Sequence, residues 1–163
     1  MKSVILVRHA KSSWDSADLT DFERPLNERG KKDAPEMARR LKKRKMHIGA
    51  FITSPAKRAR RTAELFSKEL NDGSITLIEA LYHAGPDTFL SVIKNAPDKH
   101  DCIAIFSHNP GITDFVNTLT EEVRTDNMPT AGVFAIQANI GSWKDFTLGK
   151  NDFLFFDYPK LNG

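Results

Sequence analysis

Arg8 and His9 stand directly after four consecutive apolar residues, Val4-Ile5-Leu6-Val7. Arginine binds anions through a planar fork that stays charged at any working pH. A neutral imidazole can attack an electrophilic centre such as phosphorus. An arginine next to a histidine at a strand mouth therefore suits an anion site with a nitrogen nucleophile, although many strands simply end in polar residues. Two further stretches repeat the arrangement. Ala50-Phe51-Ile52-Thr53 runs into a segment holding Lys57, Arg58, Arg60 and Arg61, and Cys102-Ile103-Ala104-Ile105-Phe106 runs into Ser107-His108-Asn109-Pro110-Gly111. Arg8, Arg58 and His108 fit a phosphate clamp around His9, with His108 placed to donate a hydrogen bond to a transferring group and stabilise its charge. Spacing alone leaves Arg60 and Arg61 open beside Arg58. A structural cap is the ordinary alternative for His108, and a strand-end salt bridge for Arg8.

Runs of four or more apolar residues read as strands buried on both faces, the pattern of a central parallel sheet. Such sheets open their ligand crevice at the C-terminal strand ends, where these residues fall. Between the strands lie helix-like stretches. One follows Asn27 and runs to about residue 46, with Ala34, Met37, Ala38 and Leu41 on one stripe and Pro35 near its start. Another spans 58–70, a third is capped by Asp87, and a fourth opens with Pro110 at its first position. Strands are expected at 75–78 and, near the end of the chain, at 133–135, 146–148 and 153–156. Strands alternating with helices give an α/β, three-layer sandwich with a mostly parallel sheet and helices on both faces. Residues 11–25 lack periodicity and read as a long loop over the site, with Ser12, Ser13 and Trp14 as candidates for its mouth.

The 163 residues are expected to form one domain, 1–163. A formal charge of +3 suits a small anion and is too slight to argue for nucleic acid. Cys102 is the lone cysteine, which excludes an intramolecular disulfide, and its apolar surroundings favour a buried, inert thiol. The first apolar run is too short for a signal peptide or a membrane span, so no membrane association and a cytoplasmic location are expected. His47, His83 and His100 show no ligand spacing with His9 or His108; neither a metal nor another cofactor is expected. The basic run at 42–45 reads as a solvated helix end, and the aromatics at 153–156 as a terminal strand.

Taken together, the segments Leu6-Val7-Arg8-His9-Ala10-Lys11-Ser12, Arg24-Pro25-Leu26-Asn27-Glu28-Arg29-Gly30, residues 54–63 and His108-Asn109-Pro110-Gly111 resemble the histidine phosphatase superfamily, and within it the small SixA-type phosphohistidine phosphatases. The resemblance implies a phosphoglycerate mutase-like fold and catalysis by His9, Arg8, Arg58 and His108. It selects Arg58 from the basic cluster and adds Arg24 as a substrate-binding candidate, for which a surface arginine is the plain alternative. Ala10 and Ser107 stand where the family usually has glycine. Family members that cleave sugar phosphates carry a carboxylic acid after the third strand. Here Glu79, Tyr82 and His83 are the weak candidates. A site without a strong acid suits P–N bonds, because an imidazole leaves more easily than an alkoxide. The expected activity is metal-independent phosphatase action through a covalent phosphohistidine, on a phosphohistidine protein. The alternatives are a phosphatase for small phosphate esters or anhydrides and a non-catalytic phosphate-binding module, though a binder needs no nucleophile.

Overall fold

A computed structural model describes residues 1–161, which form six strands and four helices. In chain order these are β1 (Lys2–Arg8), α1 (Glu28–Lys43), β2 (Ala50–Thr53), α2 (Lys57–Leu70), β3 (Ser74–Leu77), α3 (Pro86–Lys94), β4 (Cys102–Ser107), α4 (Gly111–Leu119), β5 (Val133–Ala138) and β6 (Asp152–Asp157). They make one sheet in the order β3-β2-β4-β1-β5-β6. β1 lies parallel to β4, β4 to β2 and β2 to β3, while β5 is antiparallel to both β1 and β6.

Alternation along β1 decides which layer each side chain joins, because successive residues face opposite sides of a sheet. Val4 and Leu6 enter a core with Phe89, Ile93, Phe115 and Val116 of α3 and α4. Ile5 and Val7 enter the other core, with Met37 and Leu41 of α1 and Phe66 of α2. Burial of all four residues reflects a sheet covered on both faces, as their unbroken apolar run predicts.

Local signals set the helices. The Asn27 side chain accepts from Gly30 N–H at 2.8 Å and caps α1. Gly30 is required by close approach: a Cβ there would overlap the Lys11 carbonyl oxygen. α1 ends at Lys43, a little before the expected residue 46. Asp87 is not the cap of α3. Pro86 takes the first helical position, so Gly85 becomes the cap and Asp87 lies in the first turn, where its charge complements the helix dipole. Pro110 likewise falls one residue outside α4, as its cap rather than its first residue.

The expected strand at 146–148 is absent. A short 3-10 turn, Trp143–Asp145, leads into a loop there. Trp143 N–H donates to Asp98 Oδ1 at 2.8 Å and its indole N–H to the His100 carbonyl at 2.9 Å. Phe146 is buried beside it in the α3–α4 core, so these apolar residues plug the sheet end instead of extending the sheet. The terminal aromatics do form a strand, β6. Among the described residues, no helix is long and apolar enough to cross a membrane.

Candidate active site

Register places the chemistry. Arg8 of β1 pairs with Ser107 of β4, and Thr53 of β2 with Phe106, so His9, Ser54 and His108 emerge side by side at one sheet end. The backbone fixes them: His9 N–H donates to the Ser107 carbonyl at 3.1 Å, and Ser54 N–H to the Phe106 carbonyl at 3.0 Å. The His9 and His108 rings lie 5.2 Å apart. Both line a cleft of about 650 Å³ together with Arg8, Arg24 and Arg58. All five residues named from the sequence thus converge, Arg24 included.

Arg58 is separated from its neighbours by helix phase. It sits on the buried stripe with Thr62 and Phe66, whereas Arg60 and Arg61 face solvent. Thr62 Oγ1 donates to the Arg58 carbonyl at 2.7 Å and accepts from Ala10 N–H at 3.0 Å, which ties the start of α2 to the end of β1. Arg8 donates through Nη1 to the Met128 carbonyl at 2.8 Å.

His9 is 6% exposed, and its Nδ1 lies 2.8 Å from the Ala10 carbonyl. Burial pushes its pKa well below the ordinary histidine value, opposed by the Ala10 hydrogen bond and reinforced by His108, Arg58 and Arg8. A neutral ring facing a carbonyl must donate through Nδ1–H. Nε2 therefore carries the lone pair, the state a nucleophile needs. Burial, and then the nearby Arg58 charge, draw His108 down to about 3. Its Nε2 is 2.8 Å from Ser54 Oγ, and that hydroxyl oxygen accepts from Ala56 N–H at 3.2 Å.

The cleft is lined by nitrogen atoms that the protein does not satisfy. Arg8 Nε, Arg24 Nε and Nη1, Arg58 Nε and His108 Nδ1 are all buried without a hydrogen-bond partner among the described residues. Arg24 Nε comes within 3.3 Å of Asp21 Oδ1, but the pair is not aligned as a hydrogen bond. The four guanidinium nitrogens among them are donors; orphaned buried donors are costly and rare in folded proteins, and four in one cleft describe a receptor for an anion.

Sequence reasoning misses Asp21 and offers Tyr82 only as a candidate acid. Asp21 lies on a short 3-10 turn (Asp21–Glu23) within the long loop. Its Oδ2 accepts from Tyr82 Oη at 2.6 Å and from Arg58 Nη2 at 3.0 Å. The Tyr82 hydrogen bond, with help from Arg58, holds this carboxyl at about 2. Asp21 thus orients Arg58 and is itself a poor proton donor. Tyr82 in turn packs edge-on against His108, ring centres 5.5 Å apart.

Of the loop candidates, Ser12 and Trp14 line the cleft, the latter stacked 3.4 Å from the Arg24 guanidinium. Ser13 does not; its hydroxyl accepts from Asp15 N–H. Among the acid candidates, Tyr82 and His83 line the cleft and Glu79 lies outside it, exposed. Ser107 uses its hydroxyl to reach the Leu81 carbonyl at 2.7 Å and so anchors the Tyr82 turn. Cys102 is half-buried, and burial pushes its thiol up to about 12, as an inert thiol requires.

The chain is similar to known proteins along nearly its whole length. An uncharacterized protein of Mycobacterium leprae is 28% identical over 165 residues, covering 94% of this chain and all of the relative. Two solved structures share the fold. A SixA-type protein of Agrobacterium tumefaciens superposes with a TM-score of 0.81 at 23% identity, covering 97% of this chain and 98% of the other. The protein histidine phosphatase SixA complexed with tungstate gives 0.80 at 21%, covering 96% of each chain. Residues 4–83 match the histidine phosphatase superfamily (branch 1), a span that holds Arg8, His9, Arg24 and Arg58 and stops short of His108. The remaining partner, His108, lies outside the matched span and follows β4 at the same sheet end.

Proposed function

We propose that this protein is a phosphohistidine phosphatase that needs no metal and works through a phosphorylated His9. The observation that carries the reading is the neutral His9 Nε2 in a cleft whose arginine and histidine nitrogens lack partners. Arg8, Arg58 and Arg24 bind the phosphoryl oxygens, and their charge does the work a cation does elsewhere. A dianionic phosphoryl group offsets the Arg58 and Arg8 charges that depress His108, so His108 gains affinity for a proton and donates to a phosphoryl oxygen.

His9 Nε2 attacks phosphorus in line, forming a P–N bond while the P–N bond to the substrate imidazole breaks. The bonding pair returns to the substrate nitrogen; with the other ring nitrogen protonated, a neutral imidazole leaves. The new phosphohistidine keeps its Nδ1–H on the Ala10 carbonyl. Water then attacks phosphorus, the Nε2–P pair returns to His9, and the proton of water goes to the released phosphate or solvent.

The leaving group favours P–N over alkyl P–O bonds. An alkoxide needs a proton donor, but Asp21 is held ionised, the Tyr82 hydroxyl already donates to Asp21 and Glu79 stands outside the cleft, which leaves only His83 and the exposed Asp114 on its lining. General-acid catalysis is typically worth roughly 10²–10⁴-fold, so a site without a committed acid discriminates strongly by leaving group. Turnover of a phosphohistidine peptide should exceed that of aryl phosphates, and alkyl phosphates should be slowest, by about 10²-fold or more. Glu79→Gln should change phosphohistidine turnover little. Equal turnover of alkyl phosphates, abolished by Glu79→Gln or His83→Ala, would establish the small-ester phosphatase instead.

A further inference from the structure

Beside the catalytic cleft lies a second hollow of about 330 Å³, with Arg8 and Lys11 shared between the two. Arg29 and Lys160 complete its charge, and among the described residues no acidic one lines it. The Lys11 and Lys160 ammonium groups make no ion pair or hydrogen bond with any described residue, and among those residues the Arg29 side chain reaches only Asp33, through Nε at 3.3 Å. Four cations around one hollow repel each other, an arrangement that costs stability unless an anion meets it.

The walls are built rather than loose. Asn27 N–H donates to the Lys11 carbonyl at 2.9 Å, and Gly30 packs against the same carbonyl, which holds Lys11 beside the start of α1. Arg40 secures the C-terminal segment through three hydrogen bonds: to Asp157 Oδ1 at 3.0 Å, to the Tyr158 carbonyl at 2.9 Å and to the Pro159 carbonyl at 3.0 Å. Lys160 is thereby presented at the hollow. The opposite wall is pinned by Arg8 and Asn109, which both donate to the Met128 carbonyl.

We infer that this hollow is a docking subsite for carboxylates of an acidic protein segment that carries the phosphohistidine. The inference deepens the proposed function and rests on it for the identity of the phosphorylated residue. The character of the cations chooses the occupant. The catalytic cleft uses buried arginine forks, suited to gripping one phosphoryl group. The hollow uses solvent-facing lysines and an exposed arginine, which suit the spread, hydrated carboxylates of a protein surface and act mainly through steering and alignment.

The test compares phosphohistidine peptides flanked by Asp and Glu with the same peptides flanked by Ser and Gly, using wild type and the double variant Arg29→Gln/Lys160→Gln. Wild type should favour the acidic peptide through KM, and the double variant should raise that KM about tenfold at unchanged kcat. The Ser/Gly peptide and an aryl phosphate should be unaffected. Equal kcat/KM for the two peptides in wild type, or an equal loss for both in the variant, would overturn the subsite. Unphosphorylated acidic peptide should also inhibit aryl phosphate turnover by wild type about tenfold better than by the variant. Failure of this inhibition refutes the subsite whatever the substrate is. Inhibition that follows charge while no phosphohistidine peptide is turned over refutes the phosphohistidine reading alone. Inhibition by succinate as strong as that by the peptide would assign the hollow to a small second anion, against a protein segment.

Discussion

Acidification should destabilise this protein through His108, and the size of the effect follows from its burial. The ring falls from the ordinary 6.5 to about 3 on folding, because burial and the Arg58 charge oppose its protonation. Between those values the unfolded chain binds the proton and the folded one does not. The contribution of the neutral ring is therefore complete above 6.5 and is lost as the pH falls toward 3. Over the interval from pH 7.5 to pH 4.5, one such group costs about 2–3 kcal/mol of unfolding free energy. Asp21 runs the other way, since its folded value of about 2 is depressed; its contribution persists above the ordinary 3.8 and stays constant across the same interval. Urea unfolding of wild type and His108→Asn at both pH values isolates the histidine. The variant should lose about 2–3 kcal/mol less than wild type, a difference of roughly 1–2 M in urea midpoint. Equal losses would mean that His108 is protonated, or solvated, in the folded protein, and the argument from burial would fail.

Two substitutions test the construction of the site. Arg58→Lys keeps a charge but removes the fork, and should lower kcat/KM by about 10²–10³-fold, whereas Arg60→Gln on the outer face of α2 should leave it unchanged in the same steady-state assay. Gly30→Ala should lower the stability measured by thermal unfolding by about 1–3 kcal/mol, because its Cβ would overlap the Lys11 carbonyl and force α1 away from the loop.

The parts of the site legible in the sequence are those that follow a buried strand. Val4-Ile5-Leu6-Val7 announces β1, and Arg8 and His9 then fall at its mouth by simple continuation. The same logic finds Ser107 and His108. Arg58 was legible by a route the basic cluster obscured: it shares the Thr62 and Phe66 helical phase, which places Arg60 and Arg61 outside. Asp21 and Tyr82 had no such signal. They meet across 61 residues, from an aperiodic loop and from the turn after β3, and only the closed fold brings Tyr82 Oη within 2.6 Å of the carboxylate. The misread strand at 146–148 has a related cause, since apolar residues that plug a loop and apolar residues that line a strand look alike without their partners.

The central claim is that His9 carries the phosphoryl group between substrate and water. Rapid quenching of the protein during turnover of a phosphohistidine peptide, followed by peptide mass spectrometry under alkaline conditions that spare phosphohistidine, reads it directly. Acid-labile phosphate should appear on His9 and be absent from His9→Ala, which should fold yet not turn over. Phosphate on another residue with His9 unlabelled, or full turnover by His9→Ala, would contradict the account.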